Sequence, residues 1–540
     1  MANKNIRALS YRKELDDNLF ENIAALSGKS ASTKEFKELS QRFMIDDSVV
    51  VGTASFYDFL RPENQQKTIH VCNGTACMVA GTQEELTRNL QNTVAADTIG
   101  NVPCLGHCHH NNAFLYDDKT YSAKNAEEIK YILKSKEKQE NNYAVDCNTT
   151  PILTGAIENI AEFYALADTL KDSPQKVIDE LKTANLRGRG GAGFPFYFKL
   201  DAVRKETANQ KYIVCNADEG DPGAYSDMYL MEHQAHKVLF GMYLTGLTVG
   251  ADTGVLYIRR EYPDSVRKVT HAIETLKALG LCHDFRFKII RGQGSYVCGE
   301  ETALLSSIEG LRPEVRVRPP YPAQQGLYGK PTVLSNVETF ANVHWILKNG
   351  GKAYAKLGNG TSTGTKLVSL DGFFNRPGMY EIEMGTPLLT VFDDYGKGFR
   401  SAIKAVQIGG PLGGIIPIDK IKELTLDFES LGSHGFLLGH ASVVSIPVDF
   451  PMIRFLEHLL EFTADESCGK CYPCRIGSHR GYEMLKKAQH KDYKIDRQLF
   501  DDLIETLEIG SLCALGGGVP LPIKNALAYF EGELRQYFES

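Results

Sequence analysis

The spacing of the cysteines restricts the possible structures of this chain more than any other feature of its sequence. Eight of the twelve cysteines fall into two sets of four. One set is a C-x4-C pair followed by a C-x3-C pair, and the other is a C-x2-C-x2-C run with a distant fourth member. In a large chain without a secretion signal, this usage indicates metal or redox chemistry rather than disulfide bonds. The two sets are Cys72, Cys77, Cys104 and Cys108, and Cys468, Cys471, Cys474 and Cys513.

Length and composition limit the class of protein. At ~150 residues per domain, the 540 residues predict roughly three to four domains. A hydrophobic content of 43% and a charged content of 24% are typical of globular proteins and exclude a disordered chain. The net charge of −7 disfavours a nucleic-acid-binding surface, which would be basic. There is neither a secretory signal nor a run of about 20 apolar residues, so we expect a cytoplasmic protein that does not span a membrane.

The order of apolar and polar residues predicts how the first part of the chain is organised. The helical spacing of Leu15 and Leu19 begins a pattern that predicts a packed helical bundle over the first sixty-odd residues. The short apolar run 69–71 predicts a strand that leads directly into Cys72. The polar and charged stretch 134–142 predicts an exposed linker and therefore a domain boundary.

Beyond this linker, helices and strands alternate, which predicts an α/β layer fold. Residues 176–183 are expected to be helical, and 212–215 and 255–258 are expected to be strands. Short strands with glycine and proline turns are expected between about residues 365 and 418. After Pro451 the chain returns to helices. Their predicted apolar stripes are Met452, Ile453, Leu456, Leu459 and Leu460, and then Leu499, Leu503 and Leu507.

The second cysteine set is typical of [4Fe–4S] ligands. Three cysteines at two-residue gaps let one loop reach three corners of a cubane, and a distant residue supplies the fourth corner. Thiolate sulfur suits iron, and four ligands saturate the cluster. Two alternatives stay open. One is a structural zinc site, which more often uses two separated pairs, and the other is a thioredoxin-type dithiol at Cys468 and Cys471.

The first cysteine set can hold a [2Fe–2S] cluster, with two thiolates for each iron. Gly74, Gly81 and Gly106 leave room for the backbone close to the sulfides. Zinc is again the alternative. The four cysteines outside both sets are expected to be small buried hydrophobic residues. They are Cys147, Cys215, Cys282 and Cys298.

Glycine-rich and acidic loops lie between the two cysteine sets. The loop 186–195, LRGRGGAGFP, followed by Lys199, would let amides and positive charge approach a phosphate. A structural turn is at least as compatible with this loop alone. Loops 215–223 and 292–301 add carboxylates, which at the strand ends of an α/β fold suit the hydroxyls and ring edges of a nucleotide. A flavin or nicotinamide site would complement the clusters, because something must pass electrons to them.

Ordered motifs over nearly the whole chain resemble a known family. From about residue 165 to 540, the chain resembles the NADH-binding flavoprotein subunit of respiratory complex I; the motifs are LRGRGGAGFP, CNADEGDPG, YVCGEETAL, RPPYPAQQGLYGKPT, NVET, ESCGKCYPCRIG and SLCALGGG. From about residue 1 to 135, the motifs TASFYDF, VCNGTAC and CLGHC resemble the small thioredoxin-like [2Fe–2S] subunit of that module. The two parts are fused in NAD-linked diaphorase subunits, such as those of formate dehydrogenases that use molybdenum or tungsten and of hydrogenases.

The resemblance implies a multidomain α/β protein built from five segments. These are an N-terminal helical bundle (1–66), a thioredoxin-like [2Fe–2S] domain (67–140), a Rossmann-like domain that binds FMN and NAD (141–362), a β-grasp (ubiquitin-like) domain (363–448) and a C-terminal helical bundle with a [4Fe–4S] cluster (449–540).

The resemblance also implies the site residues, and the two cysteine sets would bind the two iron–sulfur clusters. No side chain need act as an acid or base in hydride transfer itself, because stacked positioning of the two rings would supply most of the rate. Phe194 and Tyr321 would lie near the nicotinamide nucleotide, with Glu301 and Arg318 as polar contacts, and Glu301 would position NADH. The flavin site would comprise Gly188, Arg189, Gly190, Gly191, Lys199, Asn216, Asp218, Glu219, Tyr296, Gly299, Glu300, Glu301, Asn336 and Thr339.

The function implied by the resemblance is that of a diaphorase subunit, which passes electrons between NAD(H), FMN and iron–sulfur clusters. The CRIGSHRG and GHASVV stretches favour the beta subunit of an NAD-dependent formate dehydrogenase, whose partner is a catalytic subunit with further iron–sulfur clusters. The diaphorase subunit of an NAD-reducing or electron-bifurcating hydrogenase is an alternative. A non-catalytic iron–sulfur protein is another.

Overall fold

Three β-sheets of four or more strands, with the helices around them, organise the computed structural model of this chain. It describes residues 15–27, 33–123, 125–139, 142–490 and 492–539. Residues 1–14 and 28–32 of the predicted N-terminal bundle, and residues 140–141 of the predicted linker, lie outside these ranges. None of the helices within them is long and apolar enough to cross a membrane.

The first sheet carries the first cysteine set. Its strands lie in the order Ile99–Val102, Ile69–Cys72, Ala113–Tyr116 and Lys119–Ser122. The first two strands are parallel and the remaining pairs are antiparallel. The parallel register sets Cys72 opposite Val102, which ends its strand two residues before Cys104. The predicted strand at 69–71 is therefore confirmed, and the helices beside this sheet are Thr75–Val79, Gln83–Gln91 and Ala126–Ser135.

Four parallel strands form the second sheet, which confirms the predicted α/β layer. The strands lie in the order Arg286–Arg291, Thr253–Ile258, Tyr212–Ala217 and Thr332–Asn336. Because all four run the same way, the loops that follow them open at one edge of the sheet. The helices of this part are Ile160–Leu170, Pro174–Ala184, Phe196–Lys205, Ser226–His233, Ala235–Val249, Pro263–Ala278, Glu301–Ile308, Pro322–Gln325, Val337–Asn349 and Gly351–Ala355.

The third sheet is mixed and has six strands. Their order is Ile415–Pro417, Ile403–Ile408, Ser442–Pro447, Thr365–Leu370, Gly378–Glu383 and Ala144–Cys147. The strand Ala144–Cys147 falls in the segment 141–362 that the sequence assigns to the flavin domain, yet it pairs in parallel with Gly378–Glu383. This edge strand is short and lacks the apolar run by which a core strand is predicted from sequence. The helices of this part are Leu388–Thr390 and Phe428–Ser433.

The C-terminal part is helical, as predicted after Pro451. The stripe on Met452–Asp465 is buried, with Leu456 and Leu459 fully inside. In the second predicted stripe, Leu507 is buried as expected and Leu503 is half-buried, but Leu499 is 54% exposed, and Phe500 and Ile504 are buried instead. The buried face of that helix is therefore turned by about one residue from the leucine repeat. The helices are Met452–Asp465, Ser478–Ala488, Arg497–Gly510, Ala514–Gly518, Pro520–Tyr529 and Glu531–Leu534.

The N-terminal helices Leu19–Ser27, Thr33–Arg42 and Asp47–Ala54 pack on the flavin part rather than only on one another. The Tyr57 hydroxyl lies 2.7 Å from Ser307 Oγ. That oxygen lies 2.8 Å from the Tyr257 hydroxyl of the parallel sheet. All three side chains are buried, so these helices extend the core under that sheet.

Candidate functional site

The first cysteine set converges at the C-terminal ends of two parallel strands. Cys72 ends one strand, Cys77 lies on the helix that follows, and Cys104 and Cys108 lie on the loop after Ile99–Val102. All four are at most 3% exposed. The sulfur atoms of Cys104 and Cys108 are 3.6 Å apart. Four thiols enclosed in this way suit a group that binds all of them at once.

Backbone amides close to the sulfurs support the [2Fe–2S] assignment. The Gly106 amide donates to Cys104 Sγ at 3.4 Å, and the Gly223 amide donates to Cys108 Sγ at 3.2 Å. Amides aimed at ligand sulfurs are a feature of iron–sulfur sites and tune their potentials. A Cβ at Gly74 would lie 3.1 Å from the Cys104 nitrogen, so the glycine lets the two cysteine-bearing segments pack tightly. Since Gly223 belongs to the acidic loop of the parallel sheet, the cluster site directly contacts the nucleotide side of the protein.

The second cysteine set wraps one end of the C-terminal helices. Cys474 lies in a π-helical turn, Pro473–Gly477, and Cys513 precedes the helix Ala514–Gly518. A Cβ at Gly516 would lie 2.7 Å from the Cys474 Cβ, so the segment that carries Cys513 approaches closely only with glycine there. Burial raises the pKa of Cys474 to about 12, and the charges of the other three thiols of the set act in the same direction. The four residues therefore lie together and suit a cation that stabilises thiolates, as a [4Fe–4S] cluster does.

The glycine-rich loop turns tightly between two helices. The Gly188 amide donates to the Phe194 carbonyl at 2.8 Å, and Gly191 and Gly193 have φ of +126° and +62°. A Cβ at Gly190 would lie 3.0 Å from the Cβ of Asn336, so the loop packs directly on the start of the helix Val337–Asn349. This cradle of glycines, beside a helix N-terminus, fits a phosphate group.

Arg189 differs from its expected place. Its side chain is 1% exposed and donates to the Tyr354 hydroxyl at 2.9 Å and to the Thr363 carbonyl at 2.7 Å. Its guanidinium therefore fastens the loop to the neighbouring core through Nη2. Its amide donates to Thr339 Oγ1 at 2.9 Å, which joins the two predicted phosphate-binding segments.

The acidic loop holds one buried carboxylate next to Gly299 of the neighbouring loop. Asp218 Oδ2 is buried and accepts no hydrogen bond from any residue that the structure describes. Burial raises the pKa of Asp218 well above its usual range. A buried acceptor of this kind needs a donor, and the ribityl hydroxyls and ring N–H of FMN supply donors. Asn216 donates to the Gly299 carbonyl at 2.7 Å, which holds the acidic loop against the next one.

Glu219, Glu300 and Tyr296 are held within the protein itself. Glu219 accepts from the amides of Asp227 and Met228 at 3.0 and 3.1 Å, at the start of the helix Ser226–His233. Glu300 caps the helix Glu301–Ile308 by accepting from two amides at 2.8 and 2.9 Å. The Tyr296 hydroxyl donates to Asp221 at 2.6 Å, and its ring packs edge-on to Phe462 of the C-terminal helices. Tyr296 thereby joins this part of the protein to the C-terminal helices that carry the second cysteine set.

Three charged residues meet at the outer mouth of the cradle. Glu301 lies between Lys199 Nζ, at 3.3 Å, and Arg318 Nη1, at 2.8 Å. Two exposed aromatic side chains, Phe194 and Tyr321, belong to the segments beside them, at 45% and 54% exposure. Exposed aromatic rings beside paired charges suit a ligand with a ring and phosphates.

Sequence reasoning missed several residues at this site. Phe198 is 55% exposed and packs edge-on to Phe194, and the run FPFYF could have indicated it. Arg259 is 4% exposed and donates to the carbonyls of Glu219 and Cys104, so it ties the acidic loop to the first cysteine set. His440 lies beside Glu219, and no local pattern marks it. Of the four other cysteines, Cys215 and Cys298 are buried as expected, and Cys147 and Cys282 are half-buried.

Comparison with known families and proteins agrees with this arrangement. Three family profiles match: a thioredoxin-like [2Fe–2S] ferredoxin over residues 27–137, the Nuo51 FMN-binding domain over 181–345, and the NADH-ubiquinone oxidoreductase-F iron–sulfur binding region over 454–537. The NADP-reducing hydrogenase subunit HndC of Solidesulfovibrio fructosivorans is 40% identical over 388 residues, which is 70% of this chain and 79% of that protein.

Two further relatives extend the comparison. The F 2 subunit of the NADH-quinone oxidoreductase of Rhizobium meliloti (strain 1021) is 37% identical over 378 residues, 68% of this chain and 90% of that protein. A chain of the NAD+-reducing [NiFe]-hydrogenase in its air-oxidized state superposes with a TM-score of 0.86 at 28% identity, over 96% of this chain and 93% of that one. The multidomain α/β fold and the FMN, [2Fe–2S] and [4Fe–4S] cofactors are thereby confirmed. This chain belongs to the family of NADH-binding flavoprotein subunits of NADH-quinone oxidoreductases, in a form that carries the thioredoxin-like [2Fe–2S] domain in the same polypeptide.

Proposed function

We propose that this protein is a diaphorase subunit that exchanges electrons between NAD(H) and a partner subunit. The observation that carries the proposal is the Lys199–Glu301–Arg318 group at the mouth of a glycine cradle, with exposed aromatic residues beside it. Bound FMN supplies two-electron chemistry with the nicotinamide and one-electron chemistry with the clusters. The protein orients the nicotinamide ring and shields the cradle from water.

An apolar surface near the second cysteine set supports transfer to a partner. Tyr472 and Ile509 are 75% and 76% exposed, and Ile476 and Leu512 are 58% and 43% exposed. All four lie within five residues of Cys471, Cys474 or Cys513 in the sequence. Exposed apolar side chains grouped in this way mark interaction sites, and a cluster close to the surface can pass electrons to a neighbouring chain. We therefore place the partner at this end of the molecule.

The second part of the proposal concerns the class of enzyme to which the partner subunit belongs. The CRIGSHRG and GHASVV stretches favour a formate dehydrogenase catalytic subunit, whereas the match to the NAD+-reducing [NiFe]-hydrogenase spans 96% of this chain and favours a hydrogenase. Both partners would contain further iron–sulfur clusters. We also propose a cytoplasmic location, since twelve unpaired cysteines suit a reducing compartment.

The purified complex tests this function directly. We expect FMN and iron in the protein, NADH–ferricyanide activity of this chain without its partner, and a co-purified catalytic subunit. Assays with formate and with H2 as electron donors for NAD+ reduction then separate the two partner classes. A preparation that contains neither FMN nor iron would reject the diaphorase function, and a requirement for ferredoxin together with NAD would favour electron bifurcation.

Replacing Glu301 by glutamine should weaken the reduction of the flavin by NADH. The substitution removes the charge that lies between Lys199 and Arg318 and turns one of the two carboxylate oxygens expected to position the nicotinamide nucleotide into an amide donor. Hydrogen bonds to charged groups contribute about 1.5–3 kcal/mol, so kcat/KM for NADH should fall by at least about tenfold. Stopped-flow reduction at low NADH concentration measures the effect.

Glu314 provides a matched control for this variant. Its side chain is 46% exposed and its nearest cation, Lys470 Nζ, is 4.0 Å away, so E314Q should reduce at the wild-type rate. FMN content should be unchanged in both variants. A wild-type rate for E301Q at low NADH would show that Glu301 does not contact the nucleotide.

A further inference from the structure

A buried group of one histidine and two carboxylates lies behind the flavin site. His440 Nε2 is 3.5 Å from Glu219 Oε1 and 3.5 Å from Asp227 Oδ2. Their side chains are between 0% and 5% exposed. The three residues come from different parts of the fold: the acidic loop, the helix Ser226–His233 and the turn before the strand Ser442–Pro447. Glu219 belongs to the predicted flavin site, whereas Asp227 and His440 have no role in the site described above.

The group could hold either a metal ion or a proton, and the hydrogen bonds of Glu219 distinguish the two. Glu219 Oε1 accepts from Ser226 Oγ and the Asp227 amide, and Oε2 accepts from the Met228 amide and the Tyr262 hydroxyl. A carboxylate has about four lone-pair positions, so these donors already occupy them. Glu219 is then poorly placed to bind a metal directly, but its charge still attracts a cation 3.5 Å away.

Two buried carboxylates need a compensating positive charge. Burying an ion without a partner costs several kcal/mol. Arg259 donates to the Glu219 carbonyl rather than to its carboxylate. His440 is the cationic side chain that the structure places next to both carboxylates.

The contacts of Asp227 extend this charge balance to the cofactor cradle. Asn336 donates to Asp227 Oδ2 through its Nδ2, and its Oδ1 accepts from the Glu338 amide at 2.9 Å as the cap of the helix Val337–Asn349. The Asn336 side chain also packs 3.0 Å from the position of a Cβ on Gly190. A shift of Asp227 would therefore remove the acceptor of the Asn336 side chain, which packs directly on the glycine-rich loop.

We propose that His440, as an imidazolium, is a positioning residue of the flavin site: it balances Glu219 and Asp227 and so keeps Asn336 and the phosphate cradle in their binding geometry. The inference rests on the flavin site assigned above and adds a residue to it. FMN affinity then depends on the protonation of His440, although His440 is not among the residues assigned to contact FMN.

The charges around His440 support this protonation state. Burial alone would lower the pKa of His440, but the neighbouring carboxylates of Asp227 and Glu219 raise it to about 9. Asp221 on the acidic loop is a further anion nearby. Lys366 on the strand Thr365–Leu370 acts in the opposite direction, but its charge is paired with Glu338.

The sign of the pH effect follows from these shifts. Because the pKa of His440 is raised in the folded protein from 6.5, its contribution is complete below pH 6.5 and is lost as the pH rises through about 9. Burial raises the pKa of Glu219 to about 7, with Asp227 adding to the effect and His440 opposing it. In a protein without the imidazolium, Glu219 can still lose its charge by protonation, so the defect should be smaller at pH 6 than at pH 8.

The experiment compares FMN affinity of the full-length wild type, H440Q and H344Q at pH 6 and pH 8, using FMN fluorescence on titration of the deflavinated protein. His344 is also buried and stacks on Phe163 at 3.5 Å, but burial lowers its pKa to about 4, so it is neutral throughout. We expect H440Q to bind FMN about tenfold more weakly at pH 8 and nearly normally at pH 6. H344Q should show the same small effect at both pH values.

A second variant keeps the test decisive if H440Q loses FMN at every pH. H440Q/D227N removes the anion together with its counter-charge, and we expect it to recover most of the affinity at pH 8. A pH-independent loss of FMN affinity in H440Q that the double variant does not recover would overturn the proposal. Normal FMN binding by H440Q at pH 8 would also overturn it. One equivalent of zinc or manganese that is present in the wild type and absent from H440Q would overturn it as well, because the group would then bind a metal ion. Failure of the wild type to bind FMN at all would instead count against the flavin site itself.

Discussion

Replacing Cys474 by alanine should abolish the [4Fe–4S] signal of the reduced protein and leave FMN and the [2Fe–2S] cluster in place. Three thiolates cannot saturate four irons, and Cys474 is the most enclosed member of its set, with Gly516 packed closely against it. The glycine cradle and the first cysteine set use no residue of the loop that carries Cys474. Electron transfer to the partner should therefore fall to the detection limit, while NADH–ferricyanide activity at the flavin persists.

Low-temperature electron paramagnetic resonance of the dithionite-reduced protein, with iron and FMN analysis, measures this outcome. Cys282→Ala is a suitable control, because Cys282 is half-buried and belongs to neither set. It should keep both signals and all of the iron. A [4Fe–4S] signal that persists in C474A would show that another residue completes the site. Loss of FMN together with the cluster would show that the C-terminal helices and the flavin cradle form one cooperative unit, through contacts such as Tyr296 with Phe462.

The kinds of cofactor could be predicted from the sequence because the patterns that indicate them are local. The gaps within C-x2-C-x2-C, and between the two pairs of the first set, follow from the size of each cluster and need no long-range information. The strands at 212–215 and 255–258 are equally clear, since a buried parallel strand is a short apolar run. In these cases the residues that make the feature are neighbours in the chain or repeat the same spacing.

Roles that depend on side-chain direction could not be predicted in this way. Arg189 lies in a motif that suggests phosphate binding, yet its guanidinium is held by Tyr354 and the Thr363 carbonyl, more than 160 residues away. Glu300 and Glu219 resemble ligands in sequence and cap helices in the structure. His440 is more than 200 residues from both of its carboxylate partners, and only the folded chain brings them together. A single sequence carries no signal for such pairs.

The contacts between the parts suggest why one chain carries all three cofactor sites. The Gly223 amide of the acidic loop reaches Cys108, and Arg259 joins that loop to the Cys104 carbonyl. On the other side, the Tyr296 amide donates to Glu466 at 2.7 Å, two residues before Cys468. Each cluster site is thus fixed directly to a loop of the flavin cradle. Rigid spacing of this kind protects the geometry on which electron transfer depends.

The pair Lys366–Glu338 joins the third sheet to the helix that carries Thr339. Breaking this pair should cause a large decrease in the free energy of unfolding. Both side chains are 0% exposed. Glu338 also accepts from the Leu367 amide at 3.2 Å, and Lys366 Nζ donates to the Leu367 carbonyl at 3.0 Å. Lys366→Met fills a similar volume but leaves the Glu338 carboxylate buried without a cation. Removing one partner of a buried pair costs about 3–5 kcal/mol.

Urea denaturation followed by circular dichroism should therefore show a clear decrease in the midpoint for K366M. The double variant K366M/E338Q should recover most of the loss, because glutamine keeps an acceptor for the Leu367 amide and removes the unpaired charge. Lys524→Met is the matched control: its partner Glu508 is 45% exposed and Lys524 itself is 49% exposed, and an exposed pair contributes about 0–1 kcal/mol. If K366M were no less stable than K524M, or if the double variant were less stable than K366M, the buried pair would not be what joins the sheet to this helix.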